Sequence, residues 1–324
     1  MQLGVGLPSF SSETHALPSH RFERYARTAE EFGFAGTWLI EHLVRPPTYA
    51  SSLLDPLSTL SYVAGATDSI PVGTSVMLLP LRDPVMVAKR AATIQHLAGR
   101  RLTLGLGTGY VETEFDAVGV PMEERSARYL EGIELLWRLF HEETVTFDGE
   151  FYSVEEFRLE PSLGRPPRIL AGGTGHDTDE GRRVYRSVKS RLDHADGWIA
   201  APGPVEDVAG DWASFAEYLE AEGRDPEAAE RVALQYLHLV PGEDERAVAR
   251  RQRNAYREMV GPARSAEYAM ANWLSGTVEE VREALGVYER EGFDEVILYP
   301  VTPDPSDAER QLRRYRDLLL PRFG

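Results

Sequence analysis

The sequence predicts a (β/α)₈ barrel, a closed ring of eight parallel strands with helices packed outside it. Eight short apolar runs alternate with segments of helical periodicity, which requires parallel pairing through crossover connections. A helix end, a Gly-Phe pair and an apolar strand occur at residues 30–40 and again at residues 289–299. The 324 residues form one predicted domain, long enough for a barrel of roughly 250 residues with insertions. The alternative is an open doubly wound sheet, but Gly107-Thr108-Gly109 lacks the third glycine of a dinucleotide fingerprint.

Eight apolar runs are the predicted strands. The first is stopped by Pro8, and the fourth is followed directly by Gly107. In chain order they are residues 3–7, 37–40, 72–78, 102–106, 168–171, 196–200, 232–240 and 295–299.

Helices are predicted between these strands from periodicity and from end signals. The amphipathic segment 20–33 ends at Gly33. Asp55-Pro56 and Asp83-Pro84 each place an N-cap residue before a proline, so helices are expected to run from them to about residues 67 and 99. Two further helices are predicted at residues 123–140 and 305–320.

Two insertions interrupt the repeat. Asp148-Gly149 lies between two alternating runs and predicts a β-hairpin at about residues 144–160. The segment of about residues 261–276 fits no barrel element and carries Tyr268 and Trp273, so we expect a lid whose aromatic side chains contact the substrate. The alternative is that these aromatic side chains pack a short helix against the barrel.

Composition excludes several classes of function. The formal net charge is −17, with 52 acidic against 35 basic residues, so binding to nucleic acid or to an anionic membrane surface is not expected. Cysteine is absent, which excludes disulfides, thiolate catalysis and zinc–thiolate sites. Neither a leader nor an apolar run of about eighteen residues is found. We therefore expect a soluble, cytoplasmic protein.

The strand C-termini of such a barrel line its active site, and His42 is the best catalytic candidate there. It follows the second strand, and an imidazole with a pKa near 6.5 can donate or accept a proton at neutral pH. The neighbouring Glu41 is expected to raise that pKa. Thr108, Glu112 and Glu114 follow the fourth strand. The alternative is that His42 only caps a loop; the histidines show no metal-ligand spacing, so no metal site is expected.

A second candidate follows the fifth strand. Gly172-Gly173-Thr174-Gly175 is expected to expose backbone N–H groups at the start of a helix, where phosphate is commonly bound. Arg182, Arg186 and Lys189 would lie on one face of that helix and add positive charge. A plain turn, followed by a solvated helix that makes salt bridges, is the alternative.

Taken together, the motifs resemble the luciferase-like monooxygenase family, barrel enzymes that use reduced FMN or the deazaflavin coenzyme F420. Each matching segment is unspecific alone, but together they cover nearly the whole chain in the family's order. They are LGVGLP, EEFGFAGTWLIEH, the long run from VGTSVMLLPLRDP to GLGTGYVETEFDAVGVPMEER, GEFYSVEEFRLEP, PPRILAGGTG, HADGWI and GTVEEVREALGVYEREGFDEVIL.

The resemblance implies roles around the cofactor ring. Ser75-Val76 matches the position of a non-prolyl cis peptide that backs the ring, and His42 matches a histidine near its reactive edge. Thr108 and Gly109 match the loop beside the ring, with Glu114 at the family's acidic position.

At the phosphate, the resemblance implies binding by Gly172 and Gly173, with Thr174 beside them. Three features depart from the family. Glu41-His42 replaces an Asp-His pair common among the deazaflavin dehydrogenases, and Leu43 replaces the second histidine of the luciferases. The segment between Gly173 and Asp196 is longer than the usual short helix, which leaves the contribution of Arg182, Arg186 and Lys189 open. The departures together leave the choice between F420 and FMN open.

The resemblance implies an oxidoreductase acting on a small organic substrate, either by hydride transfer with F420 or by oxygen activation with FMNH₂. It also implies a homodimer and a separate flavin or F420 reductase as partner. Two alternatives remain. One is a non-redox lyase or hydrolase that uses His42 and Glu114 as acid and base, and the other is a non-catalytic flavin-binding relative.

Overall fold

A computed structural model of the chain describes residues 1–8, 19–99, 102–179, 181–302 and 305–324. Within these ranges it contains strands that fall into one barrel and two small hairpins. In chain order they are β1 (Gln2–Gly6), β2 (Thr37–Leu39), β3 (Val72–Leu78), β4 (Leu102–Gly107), β5 (Val145–Asp148), β6 (Ser153–Phe157), β7 (Arg168–Gly172), β8 (His176–Thr178), β9 (Gly181–Arg183), β10 (Gly197–Ala200), β11 (Glu230–Leu237) and β12 (Glu295–Pro300).

The helices of the described residues lie mostly between successive barrel strands. They are α1 (Ser19–Phe32), α2 (Pro56–Ala66), α3 (Pro84–Ala98), α4 (Glu112–Val118), α5 (Arg125–His141), α6 (Arg186–Lys189), α7 (Val205–Ala221), α8 (Glu245–Met259), α9 (Ala266–Asn272), α10 (Val278–Arg290), α11 (Pro305–Leu318) and α12 (Leu320–Phe323). No helix among the described residues is both long and apolar enough to cross a membrane.

The barrel closes in the order β1, β2, β3, β4, β7, β10, β11, β12 and back to β1. Every pair in it is parallel, so the predicted (β/α)₈ barrel is confirmed. The strands lie within three residues of their predicted bounds. Because all eight strands run in the same direction, their C-terminal ends bring eight loops to one mouth.

Local end signals place the second and third helices as predicted. The Asp55 side chain accepts the Ser58 N–H at 2.8 Å, and the Asp83 side chain accepts the Met86 N–H at 2.9 Å. A proline follows each cap, where no N–H is needed. The third helix ends at Gly99, whose left-handed φ of 61° suits glycine.

The two predictions for the segments flanking β7 have different outcomes. The hairpin of β5 and β6 is antiparallel and lies within the predicted residues 144–160. The helix expected directly after Gly175 is wrong, because β8 and β9 form a second antiparallel hairpin there. Helical structure begins only at Arg186, and it continues as a 3₁₀ turn from Ser190 to His194.

Two apolar cores position the mouth. A large core lies between the strands and the helices, and a smaller one fills the barrel with residues such as Trp38, Ile199 and Tyr299. Small residues make room for these rings. A Cβ added at Gly6 would lie 2.1 Å from the Tyr299 ring, and one at Gly73 would lie 2.5 Å from Trp38.

Glu295 is buried at the start of β12, at the end of the barrel opposite the mouth. The Trp38 indole N–H donates to its carboxylate at 2.7 Å. Burial raises the pKa of Glu295 to about 7, although the Trp38 bond and the charge of Arg168 act in the opposite direction. Folding therefore favours the protonated form of this group, and its stabilising contribution is lost as the pH rises from 4.5 through 7.

Glu295→Gln removes this titration while keeping the shape of the side chain. Between pH 5 and pH 8, the free energy of unfolding of the wild type should fall by about 2 to 3 kcal/mol more than that of the variant. Urea denaturation at both pH values measures the difference. Equal pH dependence of the two proteins would contradict a carboxyl group held protonated in the fold.

Candidate active site

A cavity of about 590 Å³ opens at the mouth of the barrel. This volume lies within the usual range for small-molecule and cofactor sites. Apart from the three cations predicted for the phosphate, every residue that was assigned a role in the site lines it except Glu114, which lies directly behind His42. The lining residues among them are Glu41, His42, Ser75, Val76, Thr108, Gly109, Gly172, Gly173, Thr174, Tyr268 and Trp273.

The floor of the cavity is an irregularity in β3. The Ser75–Val76 peptide bond is cis, as the resemblance implied, and the register of β3 against β4 shifts between Thr74 and Met77. The Ser75 hydroxyl lies 2.8 Å from the Tyr299 phenol. A Cβ at Gly107 would lie 2.4 Å from the Val76 side chain, so the glycine gives Val76 its position in the cavity.

His42 is paired with Glu114, although 72 positions separate them in the chain. The imidazole Nδ1 lies 3.1 Å from Glu114 Oε1, and both side chains are buried. A carboxylate at Nδ1 favours the tautomer that carries its proton there. Nε2 then lies on the cavity side, 3.4 Å from the Tyr110 hydroxyl, and can exchange a proton with a ligand.

Glu114 also connects two loops of the mouth. It lies in the first turn of α4, after β4, and its Oε1 accepts the backbone N–H groups of Leu43 at 2.6 Å and Val44 at 3.3 Å. Leu43 and Val44 are the two residues that follow His42 in the chain. The same carboxylate therefore fixes the backbone after β2 and the ring orientation of His42.

Glu41 makes its contacts away from His42. Its carboxylate accepts the Leu78 N–H at 2.7 Å and forms an ion pair with Arg82, which also pairs with Asp55 at 2.6 Å. Burial raises the pKa of Glu41, and its contacts with Arg82 and Leu78 counteract the rise. The carboxylate that lies at the His42 imidazole is Glu114, and the catalytic role of Glu41 stays a prediction.

The opposite end of the cavity is cationic. Arg191 is 8% exposed and donates to the Gly172 carbonyl at 2.7 Å, while its guanidinium lies 5.0 Å from the centre of the Tyr129 ring. Burial lowers the pKa of Arg191; Tyr129 opposes this effect, and the neighbouring charge of Arg125 adds to it. In the part of the chain that the structure describes, no carboxylate pairs with Arg191. A buried cation without a counter-charge is costly, and an anionic ligand would remove that cost.

The glycines after β7 position this arginine. The Gly173 N–H donates to the Ile199 carbonyl at 3.3 Å and the Gly175 N–H to Asp211 at 2.6 Å, so both are already used. The expected nest of exposed N–H groups is therefore not formed at these two residues. A Cβ at Gly173 would lie 2.4 Å from Val188, and the absence of a side chain lets the Arg191 segment approach.

The three cations predicted for the phosphate are not those that the cavity uses. Arg182 lies in β9 and forms a two-bond ion pair with the buried Asp211, at 2.8 and 2.9 Å. The side chain of Arg186 is 81% exposed and lies 3.4 Å from Glu222. Neither these two nor Lys189 is among the residues that line the cavity. Their common helical face does not exist, because Arg182 belongs to a hairpin.

The third part of the cavity is an aromatic rim. Trp273 is buried against Tyr236, with ring centres 4.6 Å apart, and Tyr268 is 40% exposed at the edge. The predicted segment 261–276 contains α9, and its Gly261 N–H donates to the Thr48 carbonyl. It covers one side of the mouth; its closure over a ligand stays a prediction.

Sequence reasoning missed several residues of the cavity: Tyr49, Tyr110, Arg125, Arg191, Tyr236 and Arg264. A signal for one of them was present. Val184, Val188 and Leu192 recur at four-residue spacing, and Arg191 lies three residues after Val188, so a helical pattern places it on the buried face. Among the described residues, no group of three or more His, Asp or Glu side chains could hold a metal ion.

Comparison with known proteins finds a family match over most of the chain and relatives that are oxidoreductases. A profile of the family described as luciferase-like monooxygenase matches residues 1–295. The chain is 31% identical to an F420-dependent hydroxymycolic acid dehydrogenase of Mycobacterium tuberculosis, over 85% of this chain and 76% of that protein. It is 33% identical to an F420-dependent glucose-6-phosphate dehydrogenase of Kineococcus radiotolerans, over 62% of this chain and 58% of that protein.

A solved structure agrees over the whole fold. A monooxygenase from Streptomyces bottropensis superposes with a TM-score of 0.79 at 23% sequence identity, and the match covers 100% of both chains. At this identity the likeness concerns the fold alone.

Proposed function

This chain belongs to the luciferase-like monooxygenase family, and from that premise we propose that it is an oxidoreductase that uses coenzyme F420. F420 is favoured over FMN because both relatives compared above are named as F420-dependent dehydrogenases. Their substrates differ from each other, so the family supports the cofactor and the redox chemistry more than any one substrate.

The proposal depends on the buried Arg191, which pairs with no carboxylate among the described residues and lines a cavity whose floor is Ser75–Val76. A phosphorylated ring cofactor fits this arrangement. Its phosphate would accept hydrogen bonds from Arg191, with Arg125 nearby, and its ring would lie against Val76 and beside Thr108 and Gly109. When bound, the reduced cofactor supplies the hydride or the electrons of the reaction.

The protein contributes a positioned proton donor or acceptor. In this proposal His42 Nε2 exchanges a proton with the reacting group, while Glu114 holds Nδ1 protonated and fixes the ring. Tyr110 adds a hydroxyl at the same edge, 3.4 Å from Nε2. Tyr268 and Trp273 contact the substrate and exclude water at the rim. Homodimer formation, a separate reductase and a cytoplasmic location stay predictions.

Anaerobic titration of the purified protein with F420 and with FMN, each in both oxidation states, tests the proposal. We expect saturable binding with one cofactor per chain, and tighter binding of F420 than of FMN. Calorimetry or the fluorescence of the cofactor measures it. Tighter binding of FMN than of F420 would indicate oxygen activation instead of hydride transfer. If the protein binds neither cofactor, the non-redox lyase or hydrolase is favoured. If the protein binds the cofactor but shows no turnover, it is a non-catalytic flavin-binding relative.

A further inference from the structure

Arg264 is a third arginine of the cavity, and it contacts Tyr49 and Tyr268, whereas Arg191 contacts Gly172 and Tyr129. It precedes α9 in the segment that covers the mouth. Its guanidinium lies 5.4 Å from the centre of the Tyr49 ring and 5.0 Å from that of Tyr268, so it is stacked between two phenols at the cavity wall.

The charge of Arg264 is not balanced by a carboxylate among the residues that the structure describes. Its hydrogen-bond partner is the Tyr49 side chain. Two other arginines at this face of the barrel are neutralised: Arg82 pairs with Glu41 and Asp55, and Arg182 pairs with Asp211. In a chain of net charge −17, a half-buried arginine that stacks on two phenols is suited to an anionic ligand.

The walls around Arg264 are flat and aromatic. Tyr49 and Tyr236 are buried and joined by a hydrogen bond of 2.9 Å between their hydroxyls, and Trp273 packs against Tyr236. Such surfaces favour a planar body that can stack on rings. A single guanidinium, with its two parallel N–H groups, matches one carboxylate.

Arg264 is also close enough to the proposed reacting centre to position a small molecule. Tyr49 separates them: its ring centre lies 5.9 Å from that of His42 and 5.4 Å from the Arg264 guanidinium. The two contacts place the Arg264 guanidinium at most 11.3 Å from the His42 ring centre, a span that two fused rings with a carboxylate can bridge.

We propose that the substrate is a planar aromatic or conjugated monocarboxylate, held by Arg264 through its carboxylate and stacked on the aromatic rim. This inference rests on the proposed function, because it assigns the substrate class of the same cavity. Arg264 acts here in binding and specificity and takes no part in proton transfer.

Calorimetric titration with naphthalene-2-carboxylate and with its uncharged match, naphthalene-2-carboxamide, tests the inference. The protein is first saturated with the cofactor that it binds, so that the phosphate end is filled. The wild type should bind the carboxylate at least about tenfold more tightly than the amide. Arg264→Gln should bind the two compounds equally, and Arg264→Lys, which keeps the charge without the planar fork, should recover part of the preference.

A further variant makes the result specific. Arg253→Gln removes the same charge from an exposed side chain of α8 and should keep the wild-type preference. Equal binding of both compounds by the wild type, a preference that survives in Arg264→Gln, or one that is lost in Arg253→Gln would each overturn the inference.

The failure of this inference and that of the proposed function give different results. If neither cofactor binds, the proposed function fails, and the naphthalene pair titrated into the cofactor-free variants still shows which arginine holds the carboxylate. If the cofactor binds and the carboxylate preference is absent, the inference alone fails.

Discussion

Arg191→Gln should weaken cofactor binding by about 10²- to 10³-fold, because a charge-assisted contact with the phosphate is lost in a desolvated site. The same change should leave the cofactor-free protein about as stable as the wild type. It removes a buried cation that has no carboxylate partner among the described residues, and this gain offsets the lost bond to the Gly172 carbonyl. Weaker cofactor binding together with unchanged stability distinguishes a ligand-binding arginine from a structural one.

Thermal unfolding with and without saturating F420 or FMN measures both effects in one experiment. The wild type should gain melting temperature with cofactor, and Arg191→Gln should gain little. Arg186→Gln is the matched control. It removes the same charge from an exposed side chain that lies five positions before Arg191 in the chain. A variant at Arg191 that unfolds several degrees lower without cofactor, yet binds it normally, would show that this arginine only supports the fold.

His42→Gln should lower kcat by about 10²- to 10³-fold while the cofactor Kd stays close to that of the wild type, because the loss is that of a positioned proton donor or acceptor. The turnover assay follows oxidation of the bound reduced cofactor by its absorbance. The oxidant is O₂ for FMN, or for F420 a compound found by screening conjugated acids and carbonyl compounds. Wild-type turnover in the variant would remove His42 from the chemistry.

Glu114→Gln provides the companion to that experiment. The amide oxygen can still accept the Leu43 N–H, but an amide N–H₂ facing Nδ1 would favour the tautomer protonated at Nε2. We expect kcat to fall by about 10- to 100-fold with a changed pH profile, and the cofactor Kd to stay unchanged. A uniform fall across pH would indicate that Glu114 acts only by holding the loop backbone.

Much of the fold was predictable because its signals are local. Asp55 and Asp83 cap helices three residues away, and Asp148-Gly149 turns a hairpin between adjacent runs. The strands are short apolar runs whose pairing follows from the alternation with helices. Their C-terminal ends then bring the predicted residues to one mouth without further information.

The partners within the site were less predictable because they are distant in sequence. Glu41 is adjacent to His42, yet the carboxylate at the imidazole is Glu114, which the chain reaches only after two more strands. No pattern in the sequence indicates which of two carboxylates a loop will direct toward a ring. The Ser75–Val76 geometry was expected only from the family resemblance, since neither residue has a local preference for it.

The arginines that the sequence suggested for a phosphate were misplaced for a different reason. A helical reading of the segment after Gly175 grouped Arg182 with Arg186, whereas β8 and β9 place Arg182 on Asp211. Short polar hairpins carry weak signals, and this one has no Asn-Gly or Asp-Gly turn. The apolar spacing around Val188 was the better guide to Arg191.

A crystal structure of the protein with F420 bound tests whether Arg191 binds the cofactor phosphate. We expect the phosphate within hydrogen-bond distance of the Arg191 guanidinium, about 2.7 to 3.2 Å, and the ring against Val76 with its reactive edge toward His42. A phosphate bound elsewhere, with Arg191 still on the Gly172 carbonyl alone, would contradict it.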